Sequence, residues 1–102
     1  MNDPVLDNFC AALRGAYGDR IERIVLYGSR ARGDARPDSD YDIALFLHDL
    51  ADAWGEVGRL ANFSVETLDD TGGLVHALPF QAGAWRDQSP LMHEMRREGI
   101  DL

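Results

Sequence analysis

The stretch that decides the fold of this chain is YGSRARGDARPDSDYDIALFL, Tyr27 to Leu47. A Gly28-Ser29 pair ends one β-rich run, and a D-x-D pair, Asp40 and Asp42, opens the next. Ten residues separate the two pairs, and their richness in Gly, Asp, Arg and Pro favours a loop or a short helix. The stretch therefore predicts two strands joined by a polar connection that carries the candidate chemistry.

The rest of the chain predicts helices and strands around this pair, in the order helix, strand, strand, helix, strand, helix. The predicted strands cover 21–27, 41–47 and 74–80, and Pro79 makes the last of these an edge strand or one that frays at its end. The predicted helices run over 4–17, from 49 to the DDTGG segment at 69–73, and from Ser89-Pro90 to Gly99. This order predicts an α+β domain, a small mixed sheet of three or more strands flanked by helices.

Helical spacing predicts which side of the middle helix is buried. The apolar residues that recur at this spacing are Leu50, Trp54, Val57, Ala61, Val65 and Leu68. Trp54 and Trp85 are interpreted as core or interface anchors. In the strand 41–47, the alternate residues Tyr41, Ile43, Leu45 and Leu47 are expected to enter the core.

Composition limits the classes of function that fit the chain. With 102 residues, it is expected to be a single domain over 1–102, and its net charge of −8 argues against direct nucleic-acid binding. The one cysteine, Cys10, has no partner for an internal disulfide and is expected to be buried. Neither a secretory signal nor an apolar run of membrane-spanning length is found, so a cytoplasmic protein without membrane contact is expected.

The paired carboxylates indicate a metal site. Residues two apart on a strand face the same side, so Asp40 and Asp42 are expected to lie close together. Two like charges repel, and burial would raise the pKa of one of them. A divalent cation removes this conflict, and Mg²⁺ prefers oxygen ligands and substrate phosphates.

The Gly-Ser turn supplies residues suited to phosphate. Gly28 has no Cβ, so a phosphate can approach the backbone closely, and Ser29 offers a hydroxyl. The amides that follow can open a short helix, whose first turn attracts anions. Arg30 and Arg32 are candidate phosphate clamps. The arrangement is not a P-loop, because the pattern G-x-x-x-x-G-K-[ST] is absent.

Gly28-Ser29, ten residues, then Asp40-Tyr41-Asp42 resembles the G-S-x10-D-x-D signature of the polymerase-β-like nucleotidyltransferases. The short chain is similar to the minimal nucleotidyltransferases (MNT) of HEPN/MNT toxin–antitoxin pairs. Three further segments carry this likeness: Val25-Leu26-Tyr27, Arg30-Ala31-Arg32-Gly33, and the C-terminal Ser89-Pro90-Leu91 with Arg97-Glu98-Gly99.

This resemblance implies a fold, an activity and a partner. Gly28 and Ser29 would hold the triphosphate of ATP, and Asp40 and Asp42 would ligate Mg²⁺. The enzyme would transfer AMP to a tyrosine of a HEPN-domain RNase toxin, silence it as an antitoxin, and form a hetero-oligomer with it.

One departure from the family pattern leaves alternatives open. Many of these enzymes carry a third carboxylate on a later strand, but the strand 74–80 contains no Asp or Glu. His76 is the polar side chain available there, and it is a candidate general base. The alternatives are a catalytically degenerate antitoxin that acts by stoichiometric binding, and a nucleotidyltransferase acting on a small molecule or RNA.

Overall fold

The computed structural model describes residues 3–102, and it contains four helices and four strands over this range. The sheet has the order β3-β2-β1-β4, with β2 and β3 parallel and the other pairs antiparallel. Two short 3-10 helices cover Gly18–Arg20 and Ala84–Arg86. In chain order the elements are α1 (Pro4–Tyr17), β1 (Ile21–Tyr27), α2 (Ser29–Arg32), β2 (Tyr41–Leu47), α3 (Ala53–Thr71), β3 (Val75–Gln81), α4 (Pro90–Glu98) and β4 (Ile100–Asp101). The predicted α+β class with a mixed sheet is confirmed.

Asp3 begins α1 and also ties this helix to the sheet. Its Oδ1 accepts hydrogen bonds from the amides of Val5 and Leu6, at 2.9 Å and 3.3 Å. This is the N-cap role that the Asp-Pro pair predicts. The other oxygen, Oδ2, accepts a hydrogen bond of 2.8 Å from the hydroxyl of Tyr41. Asp3 therefore connects the first turn of α1 to the first residue of β2.

Strand β2 is covered on both faces. Tyr41, Ile43, Leu45 and Leu47 pack into the core beneath α1 and α3, as the alternation predicts. The opposite face carries a second core that is closed by α4, and this core contains Val25, Ala44, Phe46, Met92 and Met95. Asp42 is the one residue of β2 that is not buried; its side chain is partly exposed.

The predicted start of the middle helix is wrong by four residues. Helix α3 begins at Ala53, because the Asp52 side chain accepts a hydrogen bond of 3.0 Å from the amide of Gly55 and caps the first turn. Asp49 has a positive φ of 58°, which a helix does not accommodate.

The predicted buried face of α3 is also wrong. Trp54 is 86% exposed and Val65 is 57% exposed, whereas Leu60 and Thr67 are fully buried. The hydroxyl of Thr67 donates a hydrogen bond of 2.8 Å to the side-chain oxygen of Asn8, so a polar residue occupies a core position. A search for apolar periodicity cannot find that position, and it selects the outer stripe instead.

The remaining differences from the sequence predictions are small. Strand β3 is shifted by one residue from the predicted range, and it lies at the edge of the sheet, as Pro79 predicts. The two-residue strand β4 was not predicted.

Cys10 is buried, and Trp85 packs edge-on against Phe46, with ring centroids 5.8 Å apart. Within residues 3–102, the helices all lack the combination of length and apolar character that a membrane span requires.

We expect Tyr17→Phe to lower the free energy of unfolding by about 1.5–3 kcal/mol, the usual contribution of a hydrogen bond to a charged group. The Tyr17 hydroxyl donates to Glu56 Oε2 at 2.6 Å and joins α1 to α3. Burial and the neighbouring carboxylate both raise the pKa of Tyr17, so it remains a donor. Urea unfolding of Tyr17→Phe, Glu56→Gln and the double variant measures the coupling, and strictly additive losses would contradict it.

Candidate active site

The fold brings the Gly-Ser turn against the D-x-D pair. The antiparallel register of β1 and β2 sets Tyr27 opposite Asp42, and Gly28 follows Tyr27 directly. A Cβ atom at Gly28 would lie 2.5 Å from Oδ2 of Asp42. Gly28 also has a φ of 75° and a ψ of −157°, a combination that is essentially restricted to glycine. Both the backbone conformation and the closeness of Asp42 therefore require glycine here.

Asp42 carries a charge in a partly dehydrated position. Burial raises the pKa of its carboxyl above the ordinary value, and the nearby charge of Asp40 raises it further. His76 and Arg32 act in the opposite direction, and burial is the largest of these effects. A cation bound at this point would stabilise the ionised carboxylate.

The donor set fits a divalent cation that arrives together with a nucleotide. Among residues 3–102, no group of three or more His, Cys, Asp or Glu side chains could hold a metal by itself. Asp40 and Asp42 provide two carboxylates, and Mg²⁺ is usually held by one or two carboxylates, with phosphates and water completing the coordination. The site therefore suits Mg²⁺ with a triphosphate better than a metal alone.

His76 lies beside Asp42 on the neighbouring strand. The parallel register of β2 and β3 pairs the two residues, and Nδ1 of His76 is 3.8 Å from Oδ1 of Asp42. The imidazole side chain is 64% exposed, so it can be reached by an incoming molecule. Tyr27 on β1, Asp42 on β2 and His76 on β3 form one row across the sheet.

Arg30 organises the loop that precedes the aspartates. Its guanidinium donates hydrogen bonds to the carbonyl oxygen of Ser39, at 2.8 Å and 3.3 Å, and to that of Pro37 at 3.3 Å. The same group lies over the ring of Tyr41, 4.2 Å from the centroid. These contacts position the segment that leads into Asp40. The role of Arg30 as a phosphate ligand stays a prediction.

Arg32 connects the loop to the C-terminal helix. Its Nε is 3.2 Å from Oδ2 of Asp34, and its Nη1 is 3.6 Å from Oε2 of Glu98. A cavity of about 180 Å³ lies between the Gly-Ser turn and α4, and both Arg32 and Glu98 line it. Ser29 is the first residue of α2, immediately after the turn. Both Ser29 and Arg32 remain predicted phosphate ligands.

Glu98 is the residue of this region that sequence reasoning missed. The Arg96-Arg97-Glu98 segment reads as a solvated helix end, but only 23% of the Glu98 side chain is exposed. Its Oε2 atom is buried and, among the described residues, accepts no hydrogen bond. The one available signal was the likeness of Arg97-Glu98-Gly99 to the family, which did not indicate an approach to Arg32.

Comparison with known families decides the classification. The family described as "Polymerase beta, Nucleotidyltransferase" matches residues 15–78, more than half of the chain. The chain belongs to this family. The match includes the Gly-Ser turn, both aspartates and His76, and it confirms the resemblance to the polymerase-β-like nucleotidyltransferases that the sequence signature indicated. Members of this family generally use a nucleoside triphosphate with a divalent metal.

Individual relatives and structures agree with this classification. A candidate protein adenylyltransferase of Methanocaldococcus jannaschii, MJ0604, is 42% identical over 43 residues. The aligned part is 42% of this chain and 43% of that protein, so less than half of the relative is matched.

Three solved structures share the fold. A toxin–antitoxin structure with AMP-PNP has a TM-score of 0.62 at 20% identity, over 93% of this chain and 70% of that one. A mutant of the toxin–antitoxin MntA-HpeT also has a TM-score of 0.62, at 18% identity, over 99% and 72%. A candidate nucleotidyltransferase from Sulfolobus solfataricus gives 0.57 at 16% identity, over 99% and 87%.

Proposed function

We propose that this nucleotidyltransferase is a Mg²⁺-dependent antitoxin that transfers AMP from ATP to a tyrosine of a cytoplasmic HEPN-domain RNase toxin. The observation that carries the proposal is the contact of the Gly28 turn with Asp42, beside Asp40. The naming of MJ0604 as a candidate protein adenylyltransferase supports protein as the acceptor. The structure of a toxin–antitoxin with AMP-PNP supports both an adenine nucleotide and a toxin partner.

The proposed reaction is an in-line displacement at the α-phosphorus. The tyrosine oxygen forms a bond to this phosphorus, the bond to the β-phosphate oxygen breaks, and pyrophosphate leaves. Asp40 and Asp42 would hold Mg²⁺, which supplies charge neutralisation for the triphosphate. Gly28 and Ser29 would position the phosphates, and His76 would accept the proton of the tyrosine hydroxyl.

The proposed consequence for the toxin follows from the charge of the transferred group. AMP adds bulk and a negative phosphate to a protein surface. Placed in the RNA-binding cleft of an RNase, that charge would repel the RNA backbone. A hetero-oligomer of the two proteins is the expected assembly during this modification.

We expect His76→Gln to lower kcat for transfer by about 100-fold, which is the lower end of the usual rate contribution of a general base. Glutamine keeps a polar side chain but cannot accept the proton at neutral pH. ATP affinity should not change, because the proposed role of His76 is toward the acceptor hydroxyl and not toward the triphosphate. The measurement is single-turnover transfer, with His93→Gln as the matched control, because His93 is an exposed residue of α4. Unchanged kcat in His76→Gln would remove His76 from the mechanism.

The experiment that tests the proposal is transfer of α-labelled ATP to the purified HEPN-domain protein in the presence of Mg²⁺. We expect one labelled band, a mass increase of one or more AMP groups, and loss of label when Mg²⁺ is chelated. The modified toxin should also lose RNase activity. Absence of label, with ATP binding retained, would contradict the transfer reaction.

A second candidate function is neutralisation by binding alone. The observation that favours it is that β3 carries His76 at the position beside Asp42, and Val75–Gln81 contains no carboxylate. This alternative predicts that Asp40→Asn/Asp42→Asn still suppresses the toxin in cells. Loss of suppression, with complex formation retained, would reject it.

A further inference from the structure

The outer side of α3 is an exposed apolar surface. Five large apolar side chains are exposed within residues 3–102, and four of them are Trp54, Val65, Leu68 and Leu74. The first three lie on α3, and Leu74 directly precedes β3. Exposed apolar side chains that occur together, rather than singly, mark interaction sites in soluble proteins. Trp54 is 86% exposed, so almost none of this large side chain is used by the fold.

Helix α3 is apolar on two sides, and the fold uses only one of them. Leu60 and Thr67 are fully buried on the inner side, with Phe63 packed against the same core. The outer stripe, which consists of Trp54, Val57, Ala61, Val65 and Leu68, also recurs at helical spacing. A surface helix normally has a polar outer side, and a helix that is apolar all round is normally buried all round. The outer stripe therefore lacks the partner that its composition calls for.

A groove beside this surface reaches His76 on the edge strand of the sheet. A groove of about 170 Å³ runs between α3 and the outer edge of β3. Val57 and Ala61 line it from the helix, and His76 and Leu78 line it from the strand. Nδ1 of His76 lies 3.8 Å from Oδ1 of Asp42, but Asp42 points to the same face of the sheet as Ala44 and Phe46, opposite α3. A molecule in the groove would therefore reach Asp42 around the edge of β3, past His76. Within residues 3–102, β3 pairs with β2 alone, so its other edge is open for a partner.

The acidic charge of α3 and of the whole chain favours a basic partner protein over a second copy of this chain. The exposed acidic side chains on α3 are Glu66, Asp69 and Asp70, and its one basic residue, Arg59, lies over the ring of Tyr17. The chain carries a net charge of −8, so two copies meeting through this helix would repel each other. A partner with an apolar centre and Arg or Lys around it would be complementary to both features of the surface.

We propose that the outer stripe of α3 and the adjacent edge of β3 form the docking surface for the acceptor protein, through an apolar segment flanked by basic side chains. The identity of the occupant as the acceptor rests on the proposed function. Docking here would bring the acceptor hydroxyl to His76, which lines the groove and whose Nδ1 lies 3.8 Å from Oδ1 of Asp42. It would also explain why a 102-residue chain leaves Trp54 in solvent.

The test is titration calorimetry of the purified HEPN-domain protein against wild type, Trp54→Ala, Val65→Glu and Leu91→Glu. Leu91 is the matched control, since it is an apolar residue on α4 that is 40% exposed and lies outside the surface. Because Leu91 lines the cavity beside Gly28 and Arg32, these titrations contain no nucleotide. We expect Trp54→Ala and Val65→Glu to weaken binding by about tenfold or more, and Leu91→Glu to leave it unchanged. Circular dichroism checks that each variant is folded.

Kinetics separates this proposal from the proposed function. The two surface variants should raise KM for the acceptor without changing KM for ATP. If wild type binds the acceptor without transferring AMP, and Val65→Glu abolishes binding, the docking surface stands and the transfer reaction fails. Equal affinity of wild type and Val65→Glu would overturn the docking surface, as would failure of the wild type to bind. A dimer of the chain alone that Val65→Glu dissociates in sedimentation would assign the surface to a second copy instead.

Discussion

Asp42→Asn is expected to lower nucleotidyl transfer by about 100-fold or more, because the proposed Mg²⁺, which would stabilise transition-state charge, would lose one of its two carboxylate ligands. Asparagine retains the shape of the side chain but not the negative charge. In the variant, Asp40 would be the one remaining carboxylate of the pair. Asp40 is exposed, so it would hold the cation weakly. The measurement is transfer of α-labelled ATP at saturating Mg²⁺, with Asp38→Asn as the control, because Asp38 is an exposed carboxylate in the same loop.

The same substitution is expected to leave the fold as stable as wild type, or more so, at neutral pH. Burial raises the pKa of Asp42, so the folded state binds its proton more readily than the unfolded chain does. The contribution of Asp42 to the free energy of unfolding therefore falls as the pH rises from the pKa of an unfolded-state carboxyl to the raised pKa of folded Asp42. Above that raised pKa the contribution stays low. Asparagine carries no charge to dehydrate, so the variant avoids this loss.

The pH dependence separates this explanation from a general effect on folding. Urea midpoints of wild type and Asp42→Asn should differ most at neutral pH, and they should converge as the pH falls through the range in which Asp42 is protonated. A variant that is inactive because it is unfolded would give a lower midpoint at every pH. Full transfer by a folded Asp42→Asn protein would remove Asp42 from the mechanism.

Gly28→Ala is expected to impair both stability and transfer. The left-handed backbone of Gly28 would strain an alanine by about 1–3 kcal/mol. In addition, the new Cβ would lie 2.5 Å from Oδ2 of Asp42, so the carboxylate must move. Displacement of a reacting group by about 1 Å can cost about 100-fold in rate. Thermal unfolding and transfer kinetics measure the two effects separately.

Gly33→Ala is the matched control for this substitution. Gly33 also has a positive φ, of 83°, but a Cβ there would meet no atom within 4 Å. The alanine should destabilise the left-handed backbone by about 1–2 kcal/mol, as for any non-glycine residue. Transfer should stay near the wild-type rate when folded protein is compared. Equal losses of transfer in both variants would show that backbone strain, and not the position of Asp42, explains the effect.

The sequence predicts the central part of this fold well because its signals there are local. Strands β1 and β2 coincide with the two β-rich runs on either side of the loop, and Asp-Pro and Ser-Pro mark the starts of α1 and α4. The D-x-D spacing places Asp40 and Asp42 close together without knowledge of the sheet. These features depend on a few neighbouring residues, and the predicted strands and helix starts are confirmed.

The sequence predicts poorly where distant residues decide the outcome. Thr67 is buried because Asn8, far away in the chain, accepts its hydrogen bond, so the apolar pattern selected the wrong side of α3. The approach of Glu98 to Arg32 depends on how α4 packs across the sheet. The pairing of Asp42 with His76 depends on a parallel register that periodicity does not specify. Each of these contacts follows from tertiary packing rather than from local pattern.

The double role of Asp3 has a consequence for the motions of the protein. One carboxylate holds the amides of Val5 and Leu6 and also the hydroxyl of Tyr41, the residue between the two candidate metal ligands. Fraying of the first turn of α1 would therefore remove the hydrogen bond of the Tyr41 hydroxyl, and opening of the D-x-D segment would remove one contact that holds Asp3 at that turn. We therefore expect local opening at these two places to be coupled, so that binding which rigidifies the aspartates slows hydrogen exchange at the start of the chain's first helix.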